Sequence, residues 1–257
     1  MEALARAIRA VADPEAAGVL SRFFQVRPGG YGEGDVFVGV KLSRLRELAE
    51  PYRGTPFVAS DWLPLLRSPV HEDRQAALVV MTERAKQAAR TTGDPDELAR
   101  IYVTYRDNTA YVDNWDLVDL SCGPIVGGFL LDRDRTPLYP LADSPVLWER
   151  RIAMVATQHF LRIPRRHDTT DLYRLAELLL DDREDLMHKA VGWSLREAGK
   201  RVDADELRHF LDRHAPAMPR TALRYAIEHF DPARRRHYLG LRRLDPTPGP
   251  TTPKDTP

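Results

Sequence analysis

The chain has 257 residues and balances 38 basic side chains with 38 acidic ones, a length that fits one large domain or a repeat array with a tail. Hydrophobic residues make up 43%, enough to build a core and too many for wholesale disorder. No apolar run approaches the roughly 18 residues that span a bilayer, Met1–Ala12 is charged where a signal peptide would be apolar, and the single Cys122 excludes an internal disulfide and suits a reducing cytoplasm.

Only five of the 38 basic residues are lysines, and arginine forks onto phosphate better than lysine does. The neutral total also hides an asymmetry. From Ser144 to Arg243, 20 Lys and Arg stand against 15 Asp and Glu. That surplus fits a basic face for a polyanion, and it fits a solvated helical surface equally well.

In chain order, the glycine-rich stretch Arg27–Asp35 comes first, followed by the one short β-like run, Val36–Val40. The stretch offers Gly-x-Gly spacings without a βαβ unit, so a loop at a cleft mouth is expected rather than a dinucleotide site. After Lys41 the apolar residues recur at three- and four-residue spacing, the mark of helices. Helix starts are expected at Ser68-Pro69, Asp94-Pro95 and Ser144-Pro145, where a capping side chain precedes a proline. Residues 1–243 read as one domain with the segment 27–40 inserted, and the proline-rich residues 244–257 as a disordered tail.

Self-similarity sets the expected architecture. Ser68–Leu78 matches Ser144–Met154 at an offset of 76, twice 38; a further shift of 38 carries Arg151 onto Lys189, and 31 more reaches Arg220. Helix pairs repeating at this period predict an all-α fold, a right-handed α-solenoid of HEAT-like repeats with a concave groove.

Helical geometry then says which residues leave the packing stripe. Leu117, Leu120, Ser121 and Pro124 are expected to face the core, while Trp115 lies about 200° from Leu117 and shares its side with Asp119. One repeat later the stripe is Val191, Leu195 and Ala198, and Trp193 points away beside Lys189 and Glu197. Two off-stripe tryptophans in neighbouring repeats predict an aromatic-walled cleft. Between them the stripe is Trp148, Ile152, Val155, Ala156 and His159, with Arg151 on its flank and Arg150 on its far side. Either arginine is free, on spacing alone, to make a salt bridge or to reach an anion.

The segments Asn114–Asp119, Leu147–Ala153, Lys189–Glu197 and, more weakly, Pro219–Ile227 resemble the AlkD-type DNA glycosylases, HEAT-like-repeat proteins that excise alkylated purines. The resemblance implies that Asp119 is the catalytic carboxylate, that Trp115 and Trp193 wall the cleft, and that Arg151 contacts the DNA backbone near the lesion. Arg150, Lys189 and Arg220 are further candidates to hold the DNA. Where that family places a tyrosine, this chain has Arg22-Phe23-Phe24, and Phe23, Phe24 or Tyr31 is left to fill the space.

The implied partner is double-stranded DNA carrying N3- or N7-alkylated purines, cleaved without base flipping by a monomer in the cytoplasm, with no membrane, metal or organic cofactor. A cationic purine is already a good leaving group, so a carboxylate that stabilises an oxocarbenium-like sugar is what the chemistry needs. The competing readings are a non-catalytic repeat protein that binds bent or branched DNA and a protein-interaction scaffold.

Overall fold

The computed structural model describes residues 1–162 and 167–241; the tail 244–257 lies outside the described residues. The first helices are α1 (Glu2–Ala10), α2 (Pro14–Phe23), α3 (Leu42–Ala49), α4 (Ala59–Leu66), α5 (His71–Ala88) and α6 (Pro95–Arg106). They are followed by α7 (Trp115–Cys122), α8 (Gly128–Leu130), α9 (Leu138–Ala142) and α10 (Leu147–Ala156). The last are α11 (Thr170–Leu178), α12 (Asp185–Arg201), α13 (Ala204–His214), α14 (Arg220–Ala226) and α15 (Pro232–Gly240). The chain is all-α over the described residues, and no helix among them is long and apolar enough to cross a membrane.

The β-like run does not become a strand. Val36 makes one isolated parallel bridge to Val70. Beyond it, the backbone N–H groups of Val38, Gly39 and Val40 all donate to the buried Glu72 carboxylate, at 2.7–3.2 Å, which takes the donors a neighbouring strand would have used.

The helices fall into two sets by contact. In one, α3, α5, α7, α10, α12 and α14 touch in succession. In the other, α4 and α6 pack on α5, α9 on α10, α11 and α13 on α12, and α15 on α14. Apolar side chains from Leu4 to Tyr238 form one continuous core between them. Helix α7 lies between α5 and α10 and is therefore buried on two sides, through Leu117, Val118, Ser121 and Cys122. This corrects the expected stripe. Val118 and Cys122 join Leu117 and Ser121 there, while Leu120 is only partly buried against the core and lines a cavity with Pro124, which lies in a π turn at Gly123–Gly127 that breaks the 3.6-residue register.

The internal repeat has a hydrogen-bonded signature. Ser68 Oγ accepts from the Val70 N–H (3.1 Å), and Arg74 Nη1 donates back to the Ser68 carbonyl (3.0 Å). Seventy-six residues on, Ser144 Oγ accepts from the Val146 N–H (3.1 Å) and Arg150 Nη1 donates to the Ser144 carbonyl (3.0 Å). Thirty-eight further, Asp182 accepts from the Glu184 N–H (2.9 Å) and His188 Nε2 meets the Asp182 carbonyl (2.6 Å). The serines thus act three residues before their helices, which begin at His71 and Leu147 rather than at the prolines. Asp94 does cap α6 directly, as expected, accepting from the Asp96 and Glu97 N–H groups.

Candidate functional site

Four helices of the first set meet at one cleft of about 650 Å³. Helix α7 contributes Trp115 and Asp119, α10 Arg151, α12 Lys189 and Trp193, and α14 Tyr225. The expected pair of tryptophans therefore lines one cavity together with the carboxylate, and both rings are half-buried. Trp193 and Asp119 also border a second cavity of about 250 Å³, whose lining includes Arg46, Lys86 and Arg162.

Asp119 is held rigidly. Arg151 grips it with two parallel bonds, Nε to Oδ1 at 2.9 Å and Nη2 to Oδ2 at 2.8 Å, while Nη1 donates to the Leu186 carbonyl at 2.6 Å. The Arg151 side chain is 6% exposed and that of Asp119 20%, so the carboxylate keeps one face open to the cleft. Burial pushes the Asp119 carboxyl above the usual carboxylate range, and the Arg151 guanidinium opposes that shift without cancelling it.

The aromatic side of the cleft is equally fixed. Tyr31 and Phe23 line it. The Tyr31 hydroxyl donates to the Phe23 carbonyl (3.1 Å) and accepts from Trp115 Nε1 (3.4 Å). Phe24 does not reach the cleft. It is buried beneath Trp115 in a stack that runs Trp115–Phe24 (5.4 Å between centroids), Phe24–Phe37 (5.0 Å) and Phe37–His71 (4.4 Å).

His71 ends this stack between two carboxylates, Asp35 at 2.7 Å from Nδ1 and Asp116 at 2.9 Å from Nε2. Burial alone would lower its pKa, but the bonds to Asp116 and Asp35 outweigh burial and raise it to about 9. Arg74 also pairs with Asp35, and Gln75 donates to Asp116, the residue after Trp115.

Two of the anticipated DNA-binding arginines lie elsewhere. Arg150 is committed to Asp182 (2.6 Å) and lines a different surface hollow. Arg220 donates to the Leu239 carbonyl (2.5 Å) and borders another. Lys189 stays in the cleft, paired with Asp185 at 2.8 Å. Glu197, expected beside Trp193, instead bonds Arg196 and Arg201. Sequence reasoning missed Glu184, Asp185 and Tyr225. Tyr225 obeyed the off-stripe rule that revealed Trp115, since it follows the buried Leu223 by two residues. Its approach depends on Gly192, where a Cβ would lie 2.3 Å from the Ala222 carbonyl oxygen and 2.6 Å from Tyr225 Cβ.

A family model described as DNA alkylation repair enzyme matches residues 4–230. The chain belongs to the DNA alkylation repair enzyme family. A solved structure from Enterococcus faecalis, described as a predicted DNA alkylation repair enzyme, has the same fold at a TM-score of 0.62; the two share 15% identity over 86% of this chain and 97% of that one. No curated protein matches the chain significantly. Membership in the family points to an enzyme that acts on alkylated DNA.

Proposed function

We propose that the protein is an AlkD-type DNA glycosylase that hydrolyses the N-glycosidic bond of N3- or N7-alkylated purines in duplex DNA. The single observation that carries this reading is the composition of the cleft. Asp119, Glu184 and Asp185 outnumber Arg151 and Lys189, and Trp115, Trp193, Tyr31, Tyr225 and Phe23 supply aromatic surface around them. Such a surface favours a cation, and an aromatic face adds about 0.5–2 kcal/mol of attraction depending on desolvation. An alkylated purine is cationic, and so is the sugar from which it departs.

In this reading the charged base and its sugar lie against the indoles. Asp119 stabilises the oxocarbenium-like sugar as the C1′–N bond breaks, and its open face orients the attacking water. The base needs no prior protonation because alkylation has already charged it. Nor does it need to be flipped, since the groups that act on it address the sugar and the charged ring where they lie. The two helix sets then form a right-handed solenoid of HEAT-like pairs acting as a monomer, with its concave groove against the duplex.

Incubation with duplex DNA containing N7-methylguanine should release the free base, detected by mass spectrometry above the spontaneous background. Tight binding of the same duplex without release would favour the non-catalytic DNA-binding reading instead.

Arg151 is better placed to position Asp119 than to contact a phosphate, because Nε, Nη1 and Nη2 all have protein acceptors. Arg151→Ala should lower excision and destabilise the fold by about 3 kcal/mol, the lower end of the range for breaking a buried pair, since Asp119 is partly open. The salt dependence of DNA binding should stay as in wild type. A flattened salt slope would show that Arg151 meets a phosphate after all.

A further inference from the structure

The second cavity, of about 250 Å³, shares Asp119 and Trp193 with the cleft, and the two differ in charge. In the cleft, carboxylates outnumber cations. In the second cavity Arg46, Lys86 and Arg162 stand against Glu83 and Asp119. Both of those carboxylates are already engaged, Glu83 by Lys86 at 2.8 Å and Asp119 by Arg151 at 2.8 Å. Arg46 and Arg162 are exposed, and neither side chain has an acceptor among the described residues. Arg9, Arg74, Arg84 and Arg150, in contrast, each end on a buried carboxylate. Two arginines free to take an anion therefore border the same hollow as the candidate catalytic group.

Three elements bring the cations together. Arg46 stands on α3, Lys86 in the last turn of α5, and Arg162 at the end of the 3-10 turn Thr157–Arg162 that continues α10. That turn lies against the π turn Gly123–Gly127 because Gly127 has no side chain: a Cβ there would sit 2.5 Å from both the Ala156 carbonyl oxygen and His159 Cβ. His159 lines the cavity without adding charge, since burial, and after it Arg162, push its pKa below 6.5 and leave the imidazole neutral at pH 7. The anion-binding capacity thus rests on guanidinium groups, whose planar fork suits a phosphate better than a carboxylate-paired lysine does.

We propose that the second cavity receives the DNA phosphate next to the nucleotide whose base is excised, and that Arg46 and Arg162 bind it. This rests on the glycosylase reading above and deepens it by fixing where the strand lies. An alkylated nucleotide is itself dipolar: its base is positive, its phosphate is negative, and the sugar joins them. The cation-favouring cleft and the anion-favouring cavity match its two ends, and Asp119, which borders both, falls at the sugar. The register is taken from the backbone and not from a pocket around the base, which agrees with a base that stays in its stack.

The test uses the double variant Arg46→Gln/Arg162→Gln, whose thermal midpoint should match wild type because both side chains are exposed and unpaired. Binding of an unmodified duplex is measured from low to high salt. The slope of log affinity against log salt should fall by about 0.9, the loss of one phosphate contact. An unchanged slope overturns the proposal. Single-turnover release of N7-methylguanine is then measured from duplexes in which one phosphate near the lesion at a time is replaced by an uncharged methylphosphonate. For wild type, replacement at one phosphate flanking the lesion should slow release about tenfold, and in the double variant the same replacement should change nothing further. Equal sensitivity at every phosphate, or a full tenfold loss in the variant as well, overturns the placement. Failure of wild type to release the base overturns the glycosylase reading and the position given to the sugar; the salt slope on unmodified duplex still decides whether the cavity holds a phosphate.

Discussion

Asp119→Asn should lower the single-turnover rate of alkylpurine release by roughly 10²–10³, the scale seen when one preorganised electrostatic partner of a transition state is removed. The substitution is close to isosteric and removes the charge that faces the developing sugar cation. DNA affinity should be unchanged or slightly higher, because a negative group has been taken from a surface that meets a polyanion. The variant also leaves Arg151 half-paired, since an amide oxygen accepts where Asn keeps it but an amide nitrogen cannot accept from Nη2. Its thermal midpoint must therefore be measured beside its rate. A variant that folds, binds and still releases the base at the wild-type rate would remove Asp119 from the mechanism.

The same carboxylate fixes the acid limb of the reaction. Only ionised Asp119 stabilises the sugar cation, and burial places its pKa above the ordinary carboxylate range. Release should therefore fall at a higher pH than an exposed aspartate would dictate. Arg151→Ala, which removes the opposing guanidinium, should shift that limb further up.

The parts of this site that were legible in the sequence are those that follow from periodicity. Trp115, Asp119 and Trp193 could be placed on one side because each lies at a fixed angle from a buried stripe on its own helix. The repeat places those helices on either side of α10, and Ser68, Ser144 and Asp182 do make the same turn at multiples of 38 residues. Arg150 and Arg151 were harder. They are adjacent, yet one faces Asp182 and the other Asp119, and only the positions of α7 and of the approach to α12 decide which arginine reaches the cleft.

Tyr31 was one of three open choices because its place depends on the glycine-rich segment folding back along Gln25 and Phe24, a tertiary event with no period to read. The buried charges of α5 were invisible for a related reason. His71, Glu72, Asp73, Arg74 and Gln75 are consecutive polar residues, a pattern that reads as a solvated helix start. They are buried because partners 32 to 64 residues away come to meet them.

That buried cluster carries the other large expected effect, on stability rather than rate. His71 is nearly inaccessible and is held by Asp35 and Asp116, with Arg74 sharing Asp35. Its pKa is raised from 6.5 to about 9. A raised pKa means that the native state keeps a proton the unfolded chain gives up. The stabilisation is therefore complete below about pH 6.5 and drains away as pH rises toward 9. A shift of this size corresponds to roughly 3 kcal/mol. For a chain of this length that is about 6–12 °C in Tm.

On the acid side the sign reverses. Asp35 is lowered by His71 and Arg74 against the opposing effect of burial, so its contribution is lost as pH falls below the ordinary carboxylate range. Thermal midpoints recorded from pH 6 to 9.5 should fall steeply for wild type. His71→Gln, whose amide nitrogen can donate to one carboxylate while its oxygen cannot donate to the other, carries no titrating proton and should start lower and stay nearly flat across the same window. If the variant's profile ran parallel to that of wild type, the alkaline loss would belong to other groups and the imidazolium would not be what ties Asp35 to Asp116.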